Sequence, residues 1–222
     1  MISIAIIPDG NRRYSQKMKI PLYKAYAKAC LKVEELLDWS LESKKINEVT
    51  VWGLSTENFK RNQSELALLN ALYRENLEKL INNPKIHDNK VNVRIVGNKK
   101  LLDESVSSLV EKAENATKDY ENFTLNIALA YGGREEIINA ANQAIENSEK
   151  ITEKNIQKYL YVPRNPDLLI RTSGVQRLSG YLSWQSAYSE LYFSDLLWPE
   201  FSKQEFDKAI EAFEKTKRNF GK

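Results

Sequence analysis

Short unbroken apolar runs alternate along the 222 residues with longer stretches in which apolar positions recur every three or four residues. The runs at 2–7 (ISIAII), 47–54 (NEVTVWGL), 91–97 (VNVRIVG), 123–131 (FTLNIALAY) and 166–171 (PDLLIR) read as strands, with 190–195 (ELYFSD) as a sixth. Between them the period changes to that of helices. Pro21 opens a helix that carries Tyr26, Ala29, Val33, Leu37 and Leu41 on one face. Ser64 is placed as the cap of a helix reaching 83, whose Leu66, Leu69, Tyr73, Leu77 and Leu80 make a wide apolar stripe. Further helices are expected over 101–120 and 134–147, from Thr152 to Leu160, and over 202–220 at the end. This alternation predicts an α/β fold: a mostly parallel central sheet of about six strands flanked by helices. No Pro-, Gly- or Ser-rich linker, repeat or low-complexity tract interrupts it, so residues 1–222 are expected to form a single domain.

Composition changes this picture little but excludes several chemistries. Apolar residues are 42% and charged residues 28%, an ordinary globular balance. A chain of this length buries roughly 70–75% of its unfolded surface and needs no staples. The net charge of +3 is too small to argue for nucleic acid. The single cysteine, Cys30, rules out an internal disulfide and a cysteine zinc site. The single histidine, His87, lies in the loop-like stretch NNPKIHDN and leaves no basis for a Ser-His-Asp device. No apolar run reaches about 18 residues. The first residues lack a basic segment and a small-residue cleavage site, so a cytoplasmic, soluble protein without a signal peptide is expected.

Ligands of open α/β sheets bind beyond the carboxyl ends of the strands, and the residues there are unusual. Of the ten arginines, Arg12, Arg13, Arg61, Arg134, Arg171 and Arg177 fall just past expected strand ends, whereas the lysines are spread over helix faces. Guanidinium forks match phosphate or carboxylate oxygens. Asp9 among them is either an ion-pair partner or a ligand for Mg²⁺, which takes one or two carboxylates and completes its shell with water and phosphate. The usual glycine-rich phosphate loops are absent. Taken singly, PDGN is a plain turn, STEN a helix cap and YGGRE a close helix–strand contact. Their combination points to a polyanionic ligand such as a diphosphate.

The stretches IAIIPDGNRRY, GLSTENFKR, LNIALAYGGREEI and PDLLIRTSGVQRLSGYLSWQSAYSELYFSDLLWPEF occur in that order. Together they resemble the cis-prenyltransferases over nearly the whole chain, in particular the bacterial undecaprenyl diphosphate synthases. The chain has no two adjacent aspartates, unlike the D-D-x-x-D motif of the trans-prenyltransferases. The resemblance implies a homodimer with an apolar tunnel and a requirement for Mg²⁺. It also implies extension of farnesyl diphosphate by isopentenyl diphosphate units to undecaprenyl diphosphate, precursor of the lipid carrier for cell-wall glycan. Transient contact with a membrane surface would release the product, and no nucleic acid is implied.

Residue by residue, the resemblance makes Asp9 the aspartate at the allylic diphosphate and Mg²⁺. Gly10, Asn11, Arg12, Arg13 and Tyr14 then belong to the segment wrapping that diphosphate. Ser55, Asn58, Phe59 and Arg61 match S-x-E-N-[WF]-x-R, with Ser55 and Asn58 assisting the condensation beside Asn11. Glu65 matches an acid one turn further on. Arg171, Arg177 and Ser179 match the isopentenyl diphosphate site, and Glu190 a second Mg²⁺ ligand supplied across the dimer. The segment YFSDLLWPEF resembles the dimer segment. Several positions depart from the pattern. Arg12 replaces a glycine, Tyr26 stands where histidine is usual, and Leu22 or Pro21 where an arginine is usual. Val175 replaces a glutamate, and R-x-G at the end is matched by Asn219-Phe220-Gly221 with Arg218 one place early. The proton acceptor stays open among Asn11, Ser55, water and a diphosphate oxygen. Two rival readings are a catalytically silent subunit, which Asp9 argues against, and a phosphate- or nucleic-acid-binding module, which the low charge argues against.

Overall fold

The central strands are buried nearly throughout, because each must be covered on both faces. In the computed structural model, which describes residues 1–60 and 62–217, six strands form one sheet. They are β1 (Ile2–Ile7), β2 (Ile46–Trp52), β3 (Val91–Val96), β4 (Phe123–Ala128), β5 (Leu168–Arg171) and β6 (Glu190–Phe193). The order is β3-β4-β2-β1-β5-β6, and every adjacent pair is parallel. The helices are α1 (Asn11–Met18), α2 (Leu22–Ser43), α3 (Gln63–Ile81), α4 (Pro84–Asp88), α5 (Glu104–Thr117), α6 (Gly133–Glu146), α7 (Glu153–Ile156) and α8 (Lys203–Lys215).

Period-two alternation divides the core. Ile4 and Ile6 of β1 join the larger cluster with α2, α3, α5 and α8, while Ala5 and Ile7 join Tyr131, Val162, Tyr181 and Leu182 on the other face. The expected helices and strands are present, with changes at their ends. Asn62, not Ser64, caps α3, its side chain accepting from the Glu65 amide. The helix expected over 101–120 begins only after Asp103 caps it. The strand expected to reach 131 stops at Ala128. Leu129 to Tyr131 stay buried, but Ala130 turns to a φ of 51° and breaks the ladder, leaving Tyr131 in an isolated parallel bridge to Ser55. Gly97 packs against that corner, where an added Cβ would lie 2.1 Å from the Leu129 carbonyl oxygen. His87 is in the short helix α4, not a loop, with its ring against the Tyr120 hydroxyl at 2.9 Å and the Ile81 carbonyl at 2.7 Å. Helix α1 is an element the sequence pattern missed. The end of the expected closing helix, with Arg218, Asn219, Phe220 and Gly221, lies outside the described residues, as does Arg61.

The second face holds a carboxylate that has no ion-pair partner among the described residues. Glu136 is 0% exposed. It accepts from the Tyr131 hydroxyl, from Gln185 Nε2 at 3.0 and 3.1 Å and from the Val162 amide at 3.3 Å. Burial pushes its carboxyl above the ordinary value, outweighing the pull of these donors. Because the folded state then binds the proton more tightly than the unfolded chain, this group's contribution to stability declines as pH rises above about 4.3. Glu136→Gln sets an amide donor against donors and is expected to cost about 1–3 kcal/mol at neutral pH. Denaturant titrations should show the gap to wild type widening as pH falls toward 4. A gap of constant size would mean that the carboxyl does not titrate as argued.

Candidate active site

The chain leaves β1 through Pro8 and Asp9 and enters α1 at Gly10, whose φ of 109° is open to glycine and strained for other residues. A side chain there would also strike Leu197, 2.8 Å from the added Cβ. The Asp9 backbone is pinned from two sides. Its amide donates to Thr172 Oγ1 at 2.9 Å, while its carbonyl accepts from that hydroxyl at 2.7 Å and from the Trp198 amide at 2.9 Å. The parallel register β1–β5 makes this possible, because it sets Ile7 beside Arg171.

The side chains converge at the same edge. Asp9 Oδ2 accepts from Arg171 Nη2 at 2.8 Å, and Oδ1 from Arg13 Nη2 at 3.4 Å. Arg13 also donates to the Ser173 carbonyl at 3.1 Å and hydroxyl at 2.5 Å. Arg171 is only 4% exposed and uses Nη1 for Ser179 Oγ at 2.9 Å and for the Arg177 carbonyl. Burial pushes the Asp9 carboxyl up, but the Arg171 hydrogen bond and charge, Ser173 and Arg13 together bring it below the ordinary carboxylate value. Asp9 is therefore an anion held among cations, and both readings of it, as ion-pair partner and as metal ligand, start from this geometry.

Behind the cluster lies an apolar cavity of about 610 Å³. Its walls are β2 and β4 (Val51, Trp52, Leu125, Ile127), α2 (Ala29, Val33, Leu37) and α3 (Leu69, Leu72, Tyr73, Leu77, Leu80). Its polar mouth is formed by Asp9, Gly10, Asn11, Arg12, Arg13, Ser55, Asn58 and Arg171. The first turn of α1 contributes amides and no acidic side chain, an arrangement that favours an anion. Asn58 folds back to accept from the Ser55 amide at 3.2 Å. The apolar stripe of α3 thus lines a cavity as well as the core.

Tyr26 and Arg12, both departures from the expected motifs, meet at one acid. The Tyr26 hydroxyl donates to Glu65 Oε1 at 2.7 Å, and Arg12 forms an ion pair with Glu65 Oε2. Glu65 so joins α1, α2 and α3 at the cavity mouth.

Other expected residues stand elsewhere. Tyr14 is buried between α1 and α2 and accepts from Lys28 at 2.7 Å. Phe59 packs against the larger core cluster. Arg177 is exposed and reaches the cluster through its backbone, and Ser179 sits behind Arg171, not in the cavity lining. Arg134 is exposed on α6 and lines no part of the cavity. Glu190 pairs with Leu168 at the amino end of β5, the opposite end from Arg171 and Asp9. Sequence reasoning passed over Thr172 and Ser173 as contacts, although both sit in the RTSG stretch, and over Trp52 and Cys30 as cavity walls.

Mg²⁺ needs few protein ligands when it is shared with phosphates. Among the described residues no three His, Cys, Asp or Glu side chains cluster. Asp9 faces the cavity mouth, and the buried Asn11 Oδ1 two residues on has no hydrogen-bond partner. One carboxylate with a neighbouring amide oxygen fits an ion carried mainly by substrate. No helix among the described residues is long and apolar enough to cross a membrane.

Comparison with known proteins bears on this arrangement directly. The prenyltransferase family described as undecaprenyl diphosphate synthase matches residues 7–221. The chain is 43% identical over 229 residues to the tritrans,polycis-undecaprenyl-diphosphate synthase (geranylgeranyl-diphosphate specific) of Thermoplasma volcanium, covering 99% of this chain and 88% of that protein. The enzyme of the same name from Pyrococcus horikoshii is 43% identical over 228 residues, covering 99% and 86%. Among solved structures, a probable undecaprenyl diphosphate synthase from Campylobacter jejuni superposes with a TM-score of 0.85 at 30% identity, covering 100% of this chain and 99% of that one. Lavandulyl diphosphate synthase from Lavandula x intermedia, in complex with dimethylallyl diphosphate, gives 0.87 at 26% identity, covering 99% and 98%. With an apolar pocket behind a cationic mouth, on a fold shared with these enzymes, the chain belongs to the undecaprenyl diphosphate synthase family and is a cis-prenyltransferase.

Proposed function

We propose that the chain elongates an allylic diphosphate with isopentenyl diphosphate to a long polyprenyl diphosphate, and that geranylgeranyl diphosphate is its preferred primer. The observation that carries the reaction is the apolar cavity opening at Asp9, Arg13 and Arg171. The primer is argued from the relatives at 40–43% identity, all named as geranylgeranyl-specific. The farnesyl primer expected from the bacterial resemblance is the alternative.

In this reading the allylic tail lies among α2, α3 and the sheet, and its diphosphate sits at the first turn of α1 with Arg13. Mg²⁺ held at Asp9 would supply Lewis-acid relief of charge on the departing diphosphate. Arg171, with Arg177 and Ser179, orients the isopentenyl diphosphate, converting a bimolecular step into a positioned one. The allylic carbon–oxygen bond breaks, the isopentenyl double bond supplies the electron pair of the new carbon–carbon bond, and a proton leaves the condensed chain. No histidine is among the residues lining the cavity, and the proton passes to Asn11 or Ser55 of the mouth, to water or to a diphosphate oxygen. The chain acts in the cytoplasm as a homodimer, and its product is the precursor of a glycan lipid carrier. Incubation with labelled isopentenyl diphosphate, Mg²⁺ and either primer, followed by product chromatography, tests this. Geranylgeranyl diphosphate should give the higher kcat/KM, and absence of transfer with both primers would end the reading.

Glu190 is proposed to serve the partner's site, since in its own subunit it lies at the far end of the sheet from Asp9. Mixing inactive Asp9→Ala and Glu190→Ala proteins should therefore restore activity. With full subunit exchange half the dimers are hybrid, each with one intact site, and roughly a quarter of wild-type activity returns. Demonstrated exchange without recovery would confine Glu190 to its own subunit or to a structural role.

A further inference from the structure

From Gly10 to Val33 the chain carries Arg12, Arg13, Lys17, Lys19, Lys24, Lys28 and Lys32 and not one acidic residue. The fold gives most of these cations partners. Arg12 meets Glu65, Arg13 meets Asp9, Lys17 meets Glu200, Lys28 meets the Tyr14 hydroxyl and Lys32 meets Glu35. Lys19 and Lys24 are exposed, and neither has an ion-pair partner among the described residues. They flank the corner where α1 gives way to α2, and apolar side chains stand out from that same corner. Met18 and Tyr23 are each 49% exposed. Ile20 and Leu22 beside them are half-buried. Met18 stands next to Lys19 and Tyr23 next to Lys24, so each exposed apolar side chain of the corner adjoins a lysine without an ion-pair partner among the described residues.

The corner is also continuous with the cavity mouth. Leu22 and Tyr23 form a shallow groove with Leu68 and Glu65, and Glu65 is held by Tyr26 and Arg12 of the mouth. The carboxylates facing the corner from neighbouring elements, Glu65 and Glu200, are already in ion pairs.

We infer that this α1–α2 corner is a docking surface for an anionic lipid bilayer, with Lys19 and Lys24 at the phosphates and Met18 and Tyr23 at the headgroup boundary. Cations beside partly inserted apolar side chains are what an interfacial membrane contact requires. Nucleic acid offers the same phosphates but no medium for Met18. The inference rests on the prenyltransferase reading in one respect. A prenyl diphosphate product is an amphiphile, and a bilayer at the mouth would take its head among headgroups and its tail into hydrocarbon.

The binding measurement needs no substrate, so it succeeds or fails independently of the reaction. The purified full-length chain is sedimented with vesicles of phosphatidylcholine alone or of phosphatidylcholine with phosphatidylglycerol. Binding is expected to the anionic vesicles, weakening with salt. Lys19→Gln/Lys24→Gln should lower the partition coefficient roughly thirty-fold, about five-fold per lysine. Met18→Ser/Tyr23→Ser should lower it further without changing the salt dependence. Prenyl transfer measured without vesicles should be unchanged in both variants. A control pair of equal charge, Lys112 on α5 and Lys118 just past its end, changed as Lys112→Gln/Lys118→Gln, should bind like wild type. The inference is overturned by no binding to anionic vesicles, by an equal loss in the control pair, or by single-stranded RNA displacing the vesicles at matched phosphate.

Discussion

Replacing Asp9 by alanine is expected to lower turnover by roughly three orders of magnitude or more. The loop itself should survive, because its backbone is held by Thr172 and Trp198 and not by the carboxylate. What disappears is the anion that Arg171 and Arg13 surround. Arg171 is almost fully buried, so alanine also strands a cation, and the variant should melt somewhat earlier than wild type. Asp9→Asn separates the two effects. It keeps the shape and one acceptor for Arg171 but removes the charge, so stability should largely return while turnover stays low. Steady-state transfer of labelled isopentenyl diphosphate, measured beside thermal unfolding, gives both readings. Near-normal turnover in either variant would remove Asp9 from the chemistry.

Arg171→Ala should lower kcat/KM for isopentenyl diphosphate by about two to three orders of magnitude, with losses in both kcat and KM. One guanidinium spans the Asp9 carboxylate, the Ser179 hydroxyl and the Arg177 carbonyl, so its removal loosens the ligand site and the aspartate together. Lysine cannot span three acceptors in one plane, and Arg171→Lys should recover little. Arg177 touches this network only through its backbone, so Arg177→Ala should raise KM and leave kcat nearly unchanged. If Arg171→Ala moved KM alone, the tie to Asp9 would carry no weight in turnover.

The strands and longer helices were legible because their side chains obey one period each and are buried accordingly. Helix α1 was not. Its eight residues bury only Tyr14, and Pro8, Asp9 and Gly10 before it carry the signature of a turn. Both facts hide a helix whose purpose is to present its first turn. The arginines at strand ends were visible as a pattern, but their division was not. Arg12, Arg13 and Arg171 reach the cavity mouth, while Arg134 and Arg177 are spread over the surface. Sequence spacing reports which strand end a residue follows, not which way a loop turns it. The Glu65 junction was hidden for the same reason, since three residues from three helices share it.

The pairing of Asp9 with Arg171 spans 162 positions, and β1 lies between β2 and β5 in the sheet. During synthesis β1 and β2 emerge early and can pair, but the other edge of β1 waits for Leu168–Arg171. At roughly 5–20 residues per second that is on the order of ten to thirty seconds of translation. For that interval a central strand presents an open hydrogen-bonding edge, the surface on which nascent chains aggregate. The same delay means that a stalled or truncated chain ending before Arg171 has the Asp9 carboxylate without the buried one of its two cations.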